Sequence, residues 1–164
     1  MRESDDRSLM GEGSSSPDAR GGENYLIFTI SDILYGFPSR LIGEVAIFDA
    51  VYPLPLLPEY MPGIINRYST PYALIDVGLL LGRGATLRSK VLVLKEAVER
   101  AAFLIDDVLD MVDVAEGELL RVEQEAGGAD RADVIAASFS WNKQDVLALD
   151  VGRILERAAR EAGS

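Results

Sequence analysis

The chain has 164 residues, 48% of them hydrophobic, with a formal charge of −11 and neither Cys nor His. That length and apolar content allow one compact unit, or two very small ones, with a real core. The charge repels phosphate backbones and anionic lipid headgroups, which excludes nucleic acid and membrane surfaces as natural partners, and the missing residue types remove disulfides, thiolate nucleophiles, most zinc sites and every His-based triad.

Paired carboxylates could in principle still do acid/base work, but no such constellation is evident, so the expectation is a non-enzyme with no cofactor and no metal. No run approaches the ~18 consecutive apolar residues of a membrane span, and no basic segment followed by an apolar one opens the chain. The expected location is the cytoplasm.

Residues 1–22 are rich in Ser, Gly and charge and nearly empty of apolar side chains; ordering them would cost entropy without burying surface, so a disordered tail is expected there. From Tyr25 the sequence YLIFTI, a turn at Ser31-Asp32 and then ILYGFP predict a β-hairpin. Further short β-rich runs follow at EVAIF (44–48), with Val51 to Leu54 continuing it, then PYALIDV (71–77), VLVLK (91–95), AAFLI (101–105), DMVDV (110–114) and VLALDV (146–151). Gly, Pro, Asn and Asp separate them, the pattern of small barrels or sandwiches. The stretch 82–84 predicts a linker, 123–132 an exposed loop, and VGRILERAAREA (151–162) an amphipathic C-terminal helix.

An internal echo organises these runs. Leu74-Ile75-Asp76-Val77-Gly78 matches Leu149-Asp150-Val151-Gly152 in its Asp-Val-Gly, which predicts a buried strand ending at an Asp whose carboxylate caps the helical turn that follows. Asp76 and Asp150 are therefore expected to be structural caps. A weaker echo lays Phe37 to Val45 on Phe103 to Met111, pairing Ile42 with Val108 and Glu44 with Asp110, each segment leaving a strand, making a short turn of helix and entering another strand. The predicted fold is mainly β: two similar small barrels packed together, about 24–83 and 89–157, with a helix over 151–162.

Tyr35-Gly36-Phe37 is followed by Ile42-Gly43-Glu44-Val45, then by Pro58 to Asn66 with Gly63, then by Ala73-Leu74-Ile75-Asp76-Val77, with ten positions from Asn66 to Asp76. In order and spacing these segments resemble the CheW family of chemotaxis coupling proteins. Phe103 to Val108 and Val146 to Asp150 continue the match, so the CheW-like domain is expected over 24–157. The resemblance implies two five-stranded SH3-like barrels around a shared apolar interface. It also implies an adaptor that holds the regulatory domain of the histidine kinase CheA against the cytoplasmic tip of chemoreceptors. Ile42 and Glu44 become kinase-binding candidates; Asn66, Arg67, Tyr68 and Val108 become receptor-binding candidates. Where the family pattern reads N-L-R-G, this chain has Asn66-Arg67-Tyr68-Ser69; a phenol cannot copy the donor fork of Arg, so weaker receptor binding is expected. Trp141 is a further interface candidate. The alternatives are a small-ligand-binding double barrel, which would need polar groups converging in an apolar cavity, and a CheW-like scaffold serving a kinase pathway outside chemotaxis.

Overall fold

The structure is a computed structural model that describes residues 22–84, 90–121 and 133–162. The expected tail, but for Gly22, and the loop expected at 123–132 lie outside the described residues.

Among the described residues, eleven strands form two sheets. The chain runs β1 (Glu23–Ile30), β2 (Ile33–Pro38), β3 (Ile42–Ile47), β4 (Gly63–Arg67), β5 (Thr70–Asp76), helix α1 (Val77–Leu80), β6 (Lys90–Leu94), β7 (Ala101–Ile105), β8 (Asp107–Val114), β9 (Leu120–Arg121), β10 (Ile135–Trp141), β11 (Gln144–Leu149) and helix α2 (Val151–Ala162). One sheet has the order β8-β1-β2-β11-β10-β9, the other β3-β6-β7-β5-β4. The mainly β architecture expected from the sequence is therefore present, although the two-residue β9 brings one sheet to six strands.

The division at 83–89 is not the division between sheets. β1 and β2 sit in the centre of the first sheet, between β8 and β11, while β6 and β7 sit in the centre of the second, between β3 and β5. Each sequence repeat thus gives its opening hairpin to the sheet that the other repeat frames. The reason is in the connections. β1 returns into β2 through Ser31 and Asp32, both in left-handed conformation (φ 52° and 66°), the two-residue turn that folds a strand back on its neighbour. β2 instead ends at Pro38 and passes through a 3-10 turn, Ser39–Leu41, into β3 of the other sheet. β7 crosses back through Asp106 alone into β8, with a bend where the sequence predicted a helical turn.

The weaker echo is also visible in the strand registers. β3 slips against β6 between Ile42 and Glu44, and β8 slips against β1 between Val108 and Asp110, so Gly43 and Leu109 occupy equivalent β-bulges. Equivalent backbone hydrogen bonds end the repeats: Asp76 N–H donates to the Tyr60 carbonyl and Asp150 N–H to the Val134 carbonyl, each at 2.7 Å.

Strand alternation builds three cores. Tyr25 and Ile27 of β1 point into the first sheet's own interior with Val114, Phe139 and Val146, whereas Leu26, Phe28 and Ile30 point into a shared core. In β7, Ala102 and Leu104 fill the second sheet's interior with Ile65 and Val91, and Phe103 and Ile105 join the shared core. At its centre Phe37 stacks on Phe28 and lies against Phe103, with ring centroids 5.0 Å apart in both pairs. Val151, Ile154 and Ala158 of α2 cover that core.

One expected continuation fails: β3 stops at Ile47, and Tyr52 makes only an isolated bridge to Ile64. Pro53, Pro55 and Pro58 cannot donate to a ladder, so the segment runs as a proline-pinned loop. Gly63 lets the loop approach β4, since at its φ of 152° a Cβ would lie 2.8 Å from the Pro53 Cα.

Candidate functional site

β3 and β4 stand at opposite ends of their sheet's order, yet Arg67 Nη2 at the end of β4 donates to Glu44 Oε2 in β3 at 2.7 Å. The sheet must curl until its two edges face each other, and this ion pair closes the seam. Alternation along β4 explains the aim of Arg67: it shares a face with buried Ile65, while Asn66 between them is exposed. The Arg67 guanidinium carbon also lies 5.0 Å from the centroid of the Tyr68 ring, within reach of a cation–π attraction. Arg67 Nε is buried with no hydrogen-bond acceptor among the described residues. Tyr68 is 83% exposed at the hairpin tip, where it and Ser69 both adopt left-handed conformation (φ 52° and 65°).

Two candidate sets kept apart in the sequence thus meet: Glu44 from the kinase-binding pair and Arg67 with Tyr68 from the receptor-binding group. Ile42, the first residue of β3, and Val108 in β8 are both partly buried against the shared core. They are equivalent beside the two bulges but belong to different sheets. Glu44 and Asp110 are likewise in different sheets. The Asp110 carboxylate accepts from the N–H of Met111 at 2.7 Å, and Asp107 accepts from the N–H of Val108 at 2.9 Å. Lys90, hydrogen-bonded to Asp107 at 2.5 Å, holds that carboxyl below the ordinary carboxylate range, helped by the Val108 N–H.

Trp141 occupies in the other sheet the place of Arg67, the last residue before a two-residue left-handed turn, here Asn142-Lys143. It packs half-buried on that sheet's interior, so an aromatic ring stands in one half where an ion pair stands in the other. Asp76, 4% exposed, accepts from the Leu79 N–H, and Asp150 from the Arg153 N–H, each at 3.1 Å. Both carboxylates satisfy a helix's first free N–H groups.

Apolar exposure that the sequence reading did not single out lies nearby in the chain. Val45 and Ile47 on β3 and Tyr52, Leu54 and Leu56 on the proline-pinned loop are exposed, Leu56 by 91% and with φ 63°. The signal was present in the alternation IGEVAI, whose even-spaced Val45 and Ile47 would have had to face either core or solvent.

A concavity of about 410 Å³ lies between β2, β11 and the start of α2, lined in part by Tyr25, Arg40, Leu41, Arg121 and Asp150. Its polar groups are already engaged: Arg40 pairs with Glu23, Arg121 with Glu116 at 2.7 Å, and Asp150 caps α2. They do not converge on a ligand position, which weighs against the small-ligand alternative. No group of His, Cys, Asp or Glu among the described residues is placed to hold a metal ion, and no helix among them is long and apolar enough to cross a membrane.

The family model of the CheW-like domain matches residues 24–159. Among solved structures, the fold is similar to that of the scaffolding protein TtCheW from Thermoanaerobacter tengcongensis, with a TM-score of 0.70 and 17% identity over 79% of this chain and 89% of that one. No curated protein sequence matches.

Proposed function

This chain belongs to the CheW-like domain family, and we propose that it is a non-enzymatic adaptor that couples chemoreceptors to the regulatory domain of a chemotaxis histidine kinase. The family match over nearly all the described residues carries the scaffold role. The seam supports the choice of residues: Glu44 and Arg67 meet on a partly exposed edge next to the exposed Tyr68 ring, and Arg with an aromatic is the kind of anchor that dominates protein interfaces. In this reading Ile42 and Glu44 face the kinase, and Asn66, Arg67, Tyr68 and Val108 face the receptor. With Tyr68 where the family pattern has Arg, receptor binding is the weaker of the two.

The test is a binding assay with the kinase regulatory domain and a receptor-tip fragment, each alone. Ile42→Asp and Glu44→Arg should weaken kinase binding while circular dichroism stays native, since a charge placed in or reversed at a docking patch costs several kcal/mol, about a hundredfold or more in affinity. Unchanged affinity in both variants refutes the docking face; no binding of either fragment by the natural chain refutes the adaptor role.

A further inference from the structure

The last turn of α2 is fastened differently from the rest of the helix. Val151, Ile154 and Ala158 are buried in the shared core, whereas the described residues beyond Ala158 are exposed or partly exposed. That turn lies over a concavity of about 190 Å³ whose wall includes Met61, Ile75, Leu155 and Ala162, and the short Ala side chain does not fill it. Polar contacts with Tyr60 hold the turn down instead: the phenol donates to the Glu161 carboxylate, and the Arg157 guanidinium lies 5.7 Å from the ring centroid.

Tyr60 is also the anchor of the proline-pinned loop. In the stretch 53–62 it is buried, while its neighbours are exposed or partly exposed. Its carbonyl accepts from the Asp76 N–H at 2.7 Å, and the start of the loop is tied by the paired backbone bonds of Tyr52 and Ile64, at 2.8 and 2.9 Å. With the backbone fixed to β5 and the side chain fixed to α2, one residue joins the end of the chain to a loop about a hundred positions earlier.

We propose that the last turn of α2 is a latch on this loop: closed, it clamps Tyr60 and stiffens the segment that presents Tyr52, Leu54 and Leu56; open, it uncovers Met61, Ile75 and Leu155 and slackens the loop. The latch can open without unfolding the protein. A helix end held by polar contacts gives up little buried apolar area when it leaves, and the start of the helix stays fixed by the Asp150 cap and by Ile154 in the core. The coupling runs both ways, because a local opening on one side removes the contacts that order the other.

The experiment is residue-by-residue amide hydrogen exchange on the full chain. In the natural protein the amides of Arg160 to Ala162 should exchange through a local opening, well ahead of those around Ile154. Glu161→Ala should speed exchange there and also at Met61, whose N–H is bonded to the Pro58 carbonyl, by about fivefold, the share of one net hydrogen bond. In a Tyr60→Phe background, which lacks the hydroxyl but keeps the ring, Glu161→Ala should add nothing at Met61. Ala162→Leu, which places apolar bulk in the concavity, should slow exchange at both the helix end and Met61. Faster exchange at the helix end with Met61 unmoved is simple fraying and overturns the latch. Exchange rising equally at Phe103 in the core would show that the helix end opens only with the whole protein, which overturns it too.

Discussion

Phe37 and Phe103 hold the same place in the two repeats, and their rings meet 5.0 Å apart across the two sheets. Each stands in the second strand of a hairpin that has been given to the opposite sheet, so the contact joins two donated elements. Both rings are fully buried. Phe37→Ala and Phe103→Ala should each cost ~3–5 kcal/mol, the range for an aromatic core truncation. Because the core they share belongs to both sheets, urea unfolding of either variant should remain one transition seen alike by circular dichroism and Trp141 fluorescence. Two separated transitions would show that the sheets unfold independently.

The helix caps should differ in weight. Asp76 is buried and Asp150 half-exposed, though each accepts one equivalent N–H. Asp150→Ala should cost ~0.5–1 kcal/mol and Asp76→Ala about 2 kcal/mol, within the range for lost caps. Equal losses measured by chemical denaturation would mean that burial adds nothing to the first cap.

The Tyr60 hydroxyl donates to the Glu161 carboxylate, with the Arg157 guanidinium 5.7 Å from its ring centroid. Burial first, then that hydrogen bond, pushes the phenol up from 10.0 to about 12. With the folded value above the unfolded one, its contribution to stability is complete below pH 10 and is lost as pH rises toward 12. Tyr60→Phe should lower stability at neutral pH by about 1.5 kcal/mol and remove this part of the alkaline decline. A tyrosinate absorbance titration lacking a late-ionising group would contradict the contact.

How far the sequence could be read depended on whether a feature was local. Asp76 and Asp150 announce their caps within three residues, and VGRILERAAREA carries its helical period on its face. Sheet membership was hidden because YLIFTI is buried on both sides: Tyr25 and Ile27 serve one core and Leu26 and Phe28 another, so alternation could not say which strands lie alongside. β4 and β10 were not marked as strands, since GIINR and IAASFSW mix polar and small residues into short runs. The Glu44–Arg67 pair joins the two ends of a curled sheet, a closeness set by barrel closure and invisible in their spacing of 23 positions.

Exchange of hairpins predicts that the covalent link between repeats is dispensable once the protein is folded. A protease site inserted between Gly84 and Lys90 and cut in the native state should leave two fragments that travel as one species with unchanged circular dichroism, because each supplies the central strands of the other's sheet. Separation on size exclusion without denaturant would contradict the central placement of β1–β2 and β6–β7.

The same arrangement sets an order of events during synthesis. Every strand of the second sheet lies within residues 42–105, so that sheet has all its parts as soon as β7 leaves the ribosome. The opening hairpin is made first but sits between strands that end at Val114 and Leu149. Its apolar residues must wait, through the synthesis of more than a hundred further residues, for the frame that houses them. Two-faced and rich in Leu, Ile and Phe, the hairpin is the segment most exposed to premature association, and the nascent chain's vulnerable period ends only when β11 emerges.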